Sequence, residues 1–529
     1  MITGDLFIGF TRVRSQDQFK AIAAADGAPL PASFSIAGAA EVARACSLAE
    51  AAFDPFRGLS LSERARFLET IAEQILALGD ALLQRAHLET GLPLARLTGE
   101  RARTMGQLKL FADEVRDGSY LGVRIESALP DRKPAPRSEL RLRKIPLGPV
   151  AVFGASNFPL AFSVAGGDTA AALASGCPVV AKGHAAHPGT AEMVAHAVLA
   201  AAQQCGMPDG VFSLLAGPSN DLGRALVTDP RIKAVGFTGS RAGGLALMAA
   251  AAARPEPIPV FAEMSSINPT ILLPGALRAR AAKLAEGFIA SMTLGAGQFC
   301  TNPGMVLALS GVEVEAFADA ASAAVGAAPG QIMLTPAIHK NYERGVARLA
   351  QQPRVQARGR GLESAGPHTG RAALFATDAE ALLAHRHLSE EIFGASSLIV
   401  RCKDPAQLLA VLDGLEGQLT LSLHLEGAED AVIARRLLPV MERKAGRLIV
   451  NGWPTGVEVS HAMVHGGPYP ATSDGRSTSV GTLAIDRFLR PVCYQDFPDS
   501  LLPAELRGDQ ARSYLHRVDG RFHIPQKSA

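Results

Sequence analysis

A glycine-rich segment holds the residue best suited to nucleophilic chemistry. Residues 295–304 read G-A-G-Q-F-C-T-N-P-G, which places Cys300 in a polar turn between glycines and a Thr-Asn-Pro sequence. A cysteine attacks carbonyl carbons as its thiolate, and it needs an accessible site with hydrogen-bonding or positive groups nearby. A cysteine that only fills a core lies among apolar neighbours instead. We therefore predict that Cys300 is a nucleophile.

Two other side chains could assist a reaction at a carbonyl. Asn157 follows a short apolar run and precedes an alanine-rich stretch, so its amide could stabilise an oxyanion. Taken alone, it also suits a helix N-cap. Glu263 stands in an otherwise uncharged stretch beside Phe261 and Met264, where burial would raise the pKa of its carboxyl and suit a general base. An ordinary surface glutamate is the alternative.

Several residues could hold an anionic ligand. Lys182 directly follows the apolar run 178–181, and a lysine there can bind a ribose hydroxyl or a phosphate. His184 and His187 come next and could assist it or be plain loop histidines. An apolar run also leads into the glycine-bearing start of a predicted helix, whose free N–H groups suit an anion. That segment contains Phe237, Thr238, Gly239 and Ser240.

Predicted strands and helices alternate around these residues. Residues 36–115 read as amphipathic helices, one of which ends at Gly91 with Pro93 beyond it. From residue 148 onward, short apolar strands alternate with helices, which predicts doubly wound parallel sheets. We expect an α/β fold with two such domains. Asp131–Lys144 reads as an edge hairpin or a strand that pairs outside its own domain, and Ile485–Leu489 is also strand-like.

The expected domain boundaries follow from these changes of pattern. Residues 1–130 and 149–262 are predicted to form a dinucleotide-binding domain. Residues 263–480 are predicted to form the catalytic domain. Residues 131–148 and 481–529 are predicted to supply oligomerisation strands and a C-terminal tail.

The motifs together resemble the aldehyde dehydrogenase superfamily, including an aldehyde dehydrogenase-like fold. The order is Asn, then Lys, then F-T-G-S, then Glu, then G-Q-F-C, and finally E-I-F-G-A at 391–395. The resemblance implies that Cys300 attacks an aldehyde and that Asn157 stabilises the oxyanion. It also implies that Glu263 activates water to hydrolyse the thioester. Because acylating relatives typically lack that glutamate, a free carboxylic acid is the expected product.

The same resemblance implies contacts with a nicotinamide dinucleotide. Lys182 would contact the adenosine ribose and Ser240 the pyrophosphate. Glu391 would contact the nicotinamide ribose, and Phe393 would pack near the ring. Many NAD-preferring members read K-P-x-E after the second strand, whereas here Ala185 replaces the acidic residue. We therefore predict NADP as the cofactor, with NAD tolerated.

The substrate prediction rests on finer similarities. The K-G-H-A-A-H-P-G segment at 182–189 resembles the branch that contains 2-oxoglutarate semialdehyde (2,5-dioxopentanoate) dehydrogenases and an NADP-dependent fatty aldehyde dehydrogenase. A dicarboxylate product calls for a cation near the far carboxylate. Arg103 is the candidate, although a solvated helix face is the alternative. The competing hypotheses are a medium- or long-chain aldehyde dehydrogenase and a non-catalytic scaffold.

Bulk properties exclude several other classes. The chain has 529 residues and a net charge of +2, with no basic run that would follow a nucleic acid. No apolar stretch is long enough to cross a membrane, and no signal peptide is evident. Six cysteines without paired spacing suit the cytoplasm, and no metal motif is present. We expect a cytoplasmic homodimer or homotetramer that acts on a small aldehyde, without a metal, nucleic acid or membrane partner.

Overall fold

The first of two large sheets carries the predicted cofactor residues. A computed structural model describes residues 2–364, 366–508 and 513–525. The first sheet has seven strands in the order β11-β10-β7-β8-β9-β1-β2. Strands β7 to β11 are parallel, whereas β1 is antiparallel to both of its neighbours. The strands are β1 (Leu6–Ile8), β2 (Thr11–Val13), β7 (Val150–Phe153), β8 (Val179–Lys182), β9 (Phe212–Leu215), β10 (Ala234–Thr238) and β11 (Val260–Glu263).

Helices cover both faces of this sheet because each presents an apolar stripe to it. In α2, the side chain of Ser60 caps the amide of Glu63, and the Glu63 carboxylate accepts a hydrogen bond from the Ser60 amide. Phe67, Leu68 and Ile71 then line its buried face. As predicted, Gly91 ends α3 in a left-handed conformation with φ 69°. The helices are α1 (Ala39–Arg57), α2 (Leu61–Ala77), α3 (Gly79–Thr90), α4 (Leu94–Asp117), α5 (Gly167–Ser175), α6 (Pro188–Gln204), α7 (Asn220–Thr228) and α8 (Arg241–Ala252).

The second sheet also has seven strands, in the order β15-β17-β18-β13-β12-β19-β20. All of its pairings are parallel except β15 with β17. The strands are β12 (Thr270–Leu272), β13 (Met305–Leu309), β15 (Gln356–Arg360), β17 (Ala373–Asp378), β18 (Ser396–Cys402), β19 (Gln418–His424) and β20 (Ala445–Val450). The helices of this region are α9 (Pro274–Thr293), α10 (Val312–Ala327), α11 (Pro336–Ala350), α12 (Ala379–Ala384), α13 (Pro405–Gly414) and α14 (Gly427–Lys444).

A five-stranded sheet joins the segment between α4 and β7 to the C-terminal region. Its order is β21-β6-β5-β22-β23. The strands are β5 (Arg124–Glu126), β6 (Leu140–Pro146), β21 (Leu489–Gln495), β22 (His516–Val518) and β23 (Arg521–His523). Two-stranded pairs complete the fold: β3 (Gln18–Ile22) with β4 (Pro29–Ser35), and β14 (Gln331–Ile332) with β16 (Thr369–Gly370).

The third sheet differs from the expectation in two places. Residues Thr482–Phe488 form a 3-10 helix, so the strand predicted at Ile485–Leu489 was wrong, and the strand begins at Leu489 instead. In addition, β5 belongs to this sheet although it lies before the expected boundary at residue 131. The predicted tail also includes residues 509–512 and 526–529, which lie outside the described residues.

The doubly wound α/β prediction is confirmed by the two large sheets. In the first, β8 and β10 flank β7, so the chain reverses its direction of winding there. Ligands of open α/β sheets bind outside the carboxyl ends of the strands at such a reversal. Within the described residues, no helix has the length and apolar character needed to cross a membrane.

Candidate active site

The loop that enters β13 presents Cys300 to a deep crevice between the two large sheets. The backbone turns sharply before it, with φ 57° at Gly295 and 68° at Gly297. A Cβ atom on Gly297 would lie 2.3 Å from the amide nitrogen of Ala395, so only glycine fits that position. Asn268 fixes the far side of the turn, because its side-chain amide donates to the carbonyl oxygens of Cys300 and Asn302 at 2.8 and 2.9 Å.

The carboxylate of Glu263 lies beside the thiol at the end of β11. His465 Nε2 is 3.0 Å from Glu263 Oε1 and 3.4 Å from Cys300 Sγ. Ser479 Oγ donates to Glu263 Oε2 at 2.9 Å. Burial raises the pKa of Glu263, but the electrostatic attraction of His465 and the hydrogen bonds from His465 and Ser479 outweigh it, so the pKa lies below its usual value. The raised pKa expected from the sequence is therefore wrong, and Glu263 is ionised at neutral pH.

The thiol of Cys300 has the opposite electrostatic character. Burial raises its pKa well above the usual value, and the negative charge of Glu263 adds to the effect. Arg103 opposes both. The thiol is therefore protonated at neutral pH in this arrangement, and its proton must leave before it can attack. His465 Nε2, at 3.4 Å, and the Glu263 carboxylate, within 4.8 Å, are the polar groups next to the sulfur.

Asn157 lies on the opposite side of the same turn. Its Nδ2 donates to the carbonyl oxygen of Gln298 at 3.0 Å, and its side chain is buried. One N–H of that amide remains for a ligand. Among the described residues, the backbone N–H of Cys300 donates to no acceptor. Two donors, one after β7 and one before β13, thus lie near the thiol, which is the arrangement an oxyanion hole requires.

The predicted cofactor residues line the outer part of the crevice. Its volume is roughly 1700 Å³, ample for a dinucleotide. Lys182 ends β8, and its side chain makes no hydrogen bond or ion pair within the described residues. Phe237 and Thr238 end β10. Gly239 and Ser240 follow, and the Ser240 hydroxyl accepts from the Gly243 amide at 3.2 Å while its own proton stays available. The residues present therefore suit a nicotinamide dinucleotide.

His184 also borders the crevice, but as a neutral ring. Burial lowers its pKa well below the usual value, with His187 and Lys182 adding to the effect. Its Nδ1 accepts a hydrogen bond from the Ala186 amide at 3.1 Å, so Nε2 carries the proton. His184 can donate a hydrogen bond to a ligand but brings no positive charge, in contrast to the help with a phosphate charge that the sequence suggested.

Glu391 and Phe393 enter the crevice from the segment that precedes β18. Both are partly buried. Burial, together with the charge of Glu263, raises the pKa of Glu391 to about 8. The carboxyl of Glu391 is therefore mainly neutral at pH 7, whereas Glu263 is ionised. The two acids near the predicted nicotinamide position therefore differ in protonation state at pH 7.

Arg103 lies on α4 beyond the thiol. Its guanidinium carbon is 4.9 Å from the centre of the Phe162 ring and 6.0 Å from that of Phe158. Its Nε and one terminal nitrogen are buried without a hydrogen-bond partner among the described residues. Burial lowers its pKa, while Glu100, Cys300 and Glu263 raise it, which places the guanidinium within electrostatic reach of the reacting groups.

Sequence reasoning missed three residues of this site: His465, Ser479 and Asn268. His465 is polar in an apolar and glycine-rich stretch, as Glu263 is, whereas Ser479 and Asn268 have other polar residues beside them and gave no local signal. The same geometry could also hold a metal ion, because ligand atoms of Glu263, Cys300 and His465 lie within 4.8 Å of one another. A metal ion bound there would coordinate the sulfur of Cys300 and so prevent it from acting as a nucleophile.

Comparison with known proteins identifies the family. The model of the aldehyde dehydrogenase family matches residues 10–481. This chain belongs to the aldehyde dehydrogenase family. It is 56% identical over 522 residues to alpha-ketoglutaric semialdehyde dehydrogenase 2 of Azospirillum brasilense, covering 98% of this chain and 99% of that one. It is 46% identical over 524 residues to alpha-ketoglutaric semialdehyde dehydrogenase of Acinetobacter baylyi, covering 98% of each.

Solved structures agree on the architecture. A 1-pyrroline-5-carboxylate dehydrogenase superposes with a TM-score of 0.80 at 21% identity, over 93% of each chain. At that identity, the likeness concerns the fold alone. The predicted membership and fold of this aldehyde dehydrogenase are confirmed, and its reaction is the NAD(P)-dependent oxidation of an aldehyde.

Proposed function

We propose that this aldehyde dehydrogenase oxidises 2,5-dioxopentanoate (2-oxoglutarate semialdehyde) to 2-oxoglutarate, with NADP preferred over NAD. The observation that carries the catalytic part is the convergence of Cys300, Glu263 and Asn157 at the inner end of the crevice. The two relatives of highest stated identity support the substrate, because both are named for alpha-ketoglutaric semialdehyde.

Each catalytic residue has a role that its position supports. The Cys300 thiol loses its proton to the solvent in the crevice, and the sulfur adds to the aldehyde carbon. The Asn157 amide and the Cys300 N–H donate to the resulting oxyanion. The nicotinamide dinucleotide that Lys182, Ser240 and Glu391 would hold would supply the hydride acceptor needed to oxidise the adduct to a thioester. Glu263 then takes a proton from water as the water attacks that thioester, and the acid leaves with the thiol regenerated.

Arg103 is proposed to bind the far carboxylate of the substrate. Its guanidinium is held against Phe162, has donors without partners, and is close enough to Cys300 to affect the charge balance there. A carboxylate forms charge-assisted hydrogen bonds with such a group. The fatty aldehyde alternative requires an apolar lining, and a buried guanidinium at this depth disfavours it.

A panel of aldehydes tests the substrate. NADPH formation from 2,5-dioxopentanoate should vanish in Cys300→Ala, and Glu263→Gln should give a burst of about one NADPH per site followed by slow turnover. Arg103→Met should raise KM for 2,5-dioxopentanoate by about 10-fold or more while leaving decanal unaffected. If the wild type has the higher kcat/KM for decanal, the substrate assignment is wrong.

The preference for NADP rests on charge at the adenosine end. Lys182 is cationic there, and Ala185 offers no carboxylate to repel a 2′-phosphate. Ala185→Glu should therefore lower the NADP-to-NAD ratio of kcat/KM by about 10-fold or more, a like-charge repulsion of about 1.4 kcal/mol. Ala186→Glu is the control one residue away. A wild-type enzyme that favours NAD would contradict the proposal.

Two sheet edges and the free cysteines bear on oligomeric state and cellular location. The edge strand β20 leaves Val450 62% exposed, and β21 has one free edge in the third sheet. Pairing between such edges in two copies would cover both. We propose a homodimer or homotetramer, to be checked by light scattering, with a monomer as the contrary result. A reducing compartment such as the cytoplasm suits the six free cysteines.

A further inference from the structure

A second buried arginine, Arg96, lies seven residues before Arg103 on the same face of α4. Its NH2 group donates to the backbone carbonyl oxygen of Asn157 at 2.8 Å. Its guanidinium carbon is 5.0 Å from the centre of the Phe158 ring and 4.5 Å from that of Phe299. The two rings contact each other edge to face at 5.4 Å. Arg96 thus joins the segment that carries Asn157 to the segment that carries Cys300.

These contacts fall on both halves of the proposed oxyanion hole. One donor is the side chain of Asn157, whose own carbonyl Arg96 holds. The other is the N–H of Cys300, and the ring that stacks on Arg96 belongs to the preceding residue, Phe299. A Cβ atom on Gly295 would lie 2.5 Å from the NH1 atom of Arg96, so the start of the thiol turn also packs against this guanidinium.

The chemistry of the site calls for arginine rather than lysine. A planar guanidinium can stack on aromatic rings and donate in its own plane at once, whereas an ammonium cannot. Arg96 forms no ion pair within the described residues, and its NH1 is buried without a partner. Burial lowers its pKa, with Glu100 opposing the effect, but an arginine keeps its charge at neutral pH.

We propose that Arg96 is a positioning residue of the oxyanion hole, holding Asn157 and the Cys300 turn in register for every aldehyde the enzyme accepts. The inference rests on the roles proposed for Cys300 and Asn157, but not on the identity of the substrate. The proposal gives the two buried arginines of α4 different roles. Loss of Arg103 should raise KM for carboxylate-bearing substrates, whereas loss of Arg96 should lower kcat by slowing the acyl-transfer step.

The test compares two reactions of the same thiol. Acylation by 4-nitrophenyl acetate passes through an oxyanion and needs no cofactor, whereas alkylation by iodoacetamide forms no oxyanion. Arg96→Ala should slow acylation by about 10- to 100-fold, the range for a misplaced oxyanion donor. Alkylation should be unchanged. The control is Arg101→Ala, because Arg101 lies on the same helix and donates to the Gly79 carbonyl at 2.8 Å, away from the site.

Steady-state rates give a second, independent contrast. Arg96→Ala should lower kcat by the same factor for propanal and for 2,5-dioxopentanoate, with KM for both nearly unchanged. A loss confined to the carboxylate-bearing aldehyde would make Arg96 a substrate ligand and overturn the proposal. Equal losses of acylation and alkylation would indicate general disruption and would also overturn it. If the substrate assignment fails, the propanal and ester results still decide the role of Arg96.

A second variant covers the case in which Arg96→Ala does not fold. Arg96→Lys keeps the charge and most of the volume but loses the planar stack between Phe158 and Phe299. It should bind NADP as the wild type does, with alkylation unchanged and acylation reduced several-fold. Wild-type acylation by Arg96→Lys would show that charge alone suffices and would contradict positioning by the guanidinium plane.

Discussion

Replacing Glu263 by glutamine should make the Cys300 thiol alkylate faster, even though it slows turnover. The ionised carboxylate of Glu263 disfavours the thiolate, because the two negative charges would lie within 4.8 Å of each other in a buried site. Glutamine has nearly the same shape and lacks the charge. The thiolate population at neutral pH should therefore rise in the variant.

The size of the effect follows from Coulomb's law. At 4.8 Å and an effective dielectric constant of about 20, two unit charges interact by about 3.5 kcal/mol. That corresponds to a several hundred-fold change in thiolate population. A less basic thiolate is also less nucleophilic, with a Brønsted coefficient of about 0.45, which removes nearly half of the logarithmic gain. The net expectation is alkylation about 20-fold faster at pH 7.

The assay is the pseudo-first-order rate of iodoacetamide labelling of Cys300, read by mass spectrometry of the peptide that contains it. Glu390→Gln serves as the control, because Glu390 is paired with the exposed Arg348 at 2.7 Å and should leave the rate unchanged. A slower or unchanged rate in Glu263→Gln would refute the electrostatic reasoning. It would mean that Glu263 promotes thiolate formation as a base more than it opposes it by charge.

Three other outcomes are expected. Asn157→Ala should lower kcat by about 10²- to 10³-fold in steady-state assays, because it removes one oxyanion donor, and a full rate would exclude that role. Dissociation constants for NADP, measured by fluorescence titration, should fall as the pH rises through about 8 and level off above that range, because ionised Glu391 accepts hydrogen bonds from ribose hydroxyls better than the neutral acid. Glu391→Gln should abolish that dependence, and a retained pH dependence would assign it to another group. Arg487→Met should lower stability by about 3–5 kcal/mol, because Arg487 pairs with buried Asp168 at 2.8 Å, and an unchanged denaturation midpoint would show that the pair contributes nothing.

Residues that act through their own neighbours in sequence were predictable. The turn before Cys300 has positive φ at Gly295 and Gly297, a conformation that favours glycine, so its glycine-rich sequence signals a tight turn. The end of α3 at Gly91 and the strands that lead to Lys182 and Ser240 follow from local propensity and apolar pattern. Those local signals appear in the same order as in the aldehyde dehydrogenase family, so the family was readable from the chain alone.

Residues that act across the fold were not predictable. His465 and Ser479 lie about two hundred positions after Glu263, and only the packed structure brings them close enough to reverse the pKa shift that burial alone implies. The strand predicted at Ile485–Leu489 became a 3-10 helix in which Arg487 pairs with Asp168, a long-range contact that apolar pattern does not encode. From the sequence, Arg96 could equally be a solvated helix residue. Only the structure shows that the rings of Phe158 and Phe299 pack against it.

Local sequence thus determined which groups can react, whereas tertiary packing determined their charge states and partners. A backbone turn depends on a few residues that are adjacent in the chain, so it can be predicted from the local sequence. The ionisation of a buried group depends on the charges and dipoles within a few ångströms in space, and in this fold most of them come from distant parts of the sequence.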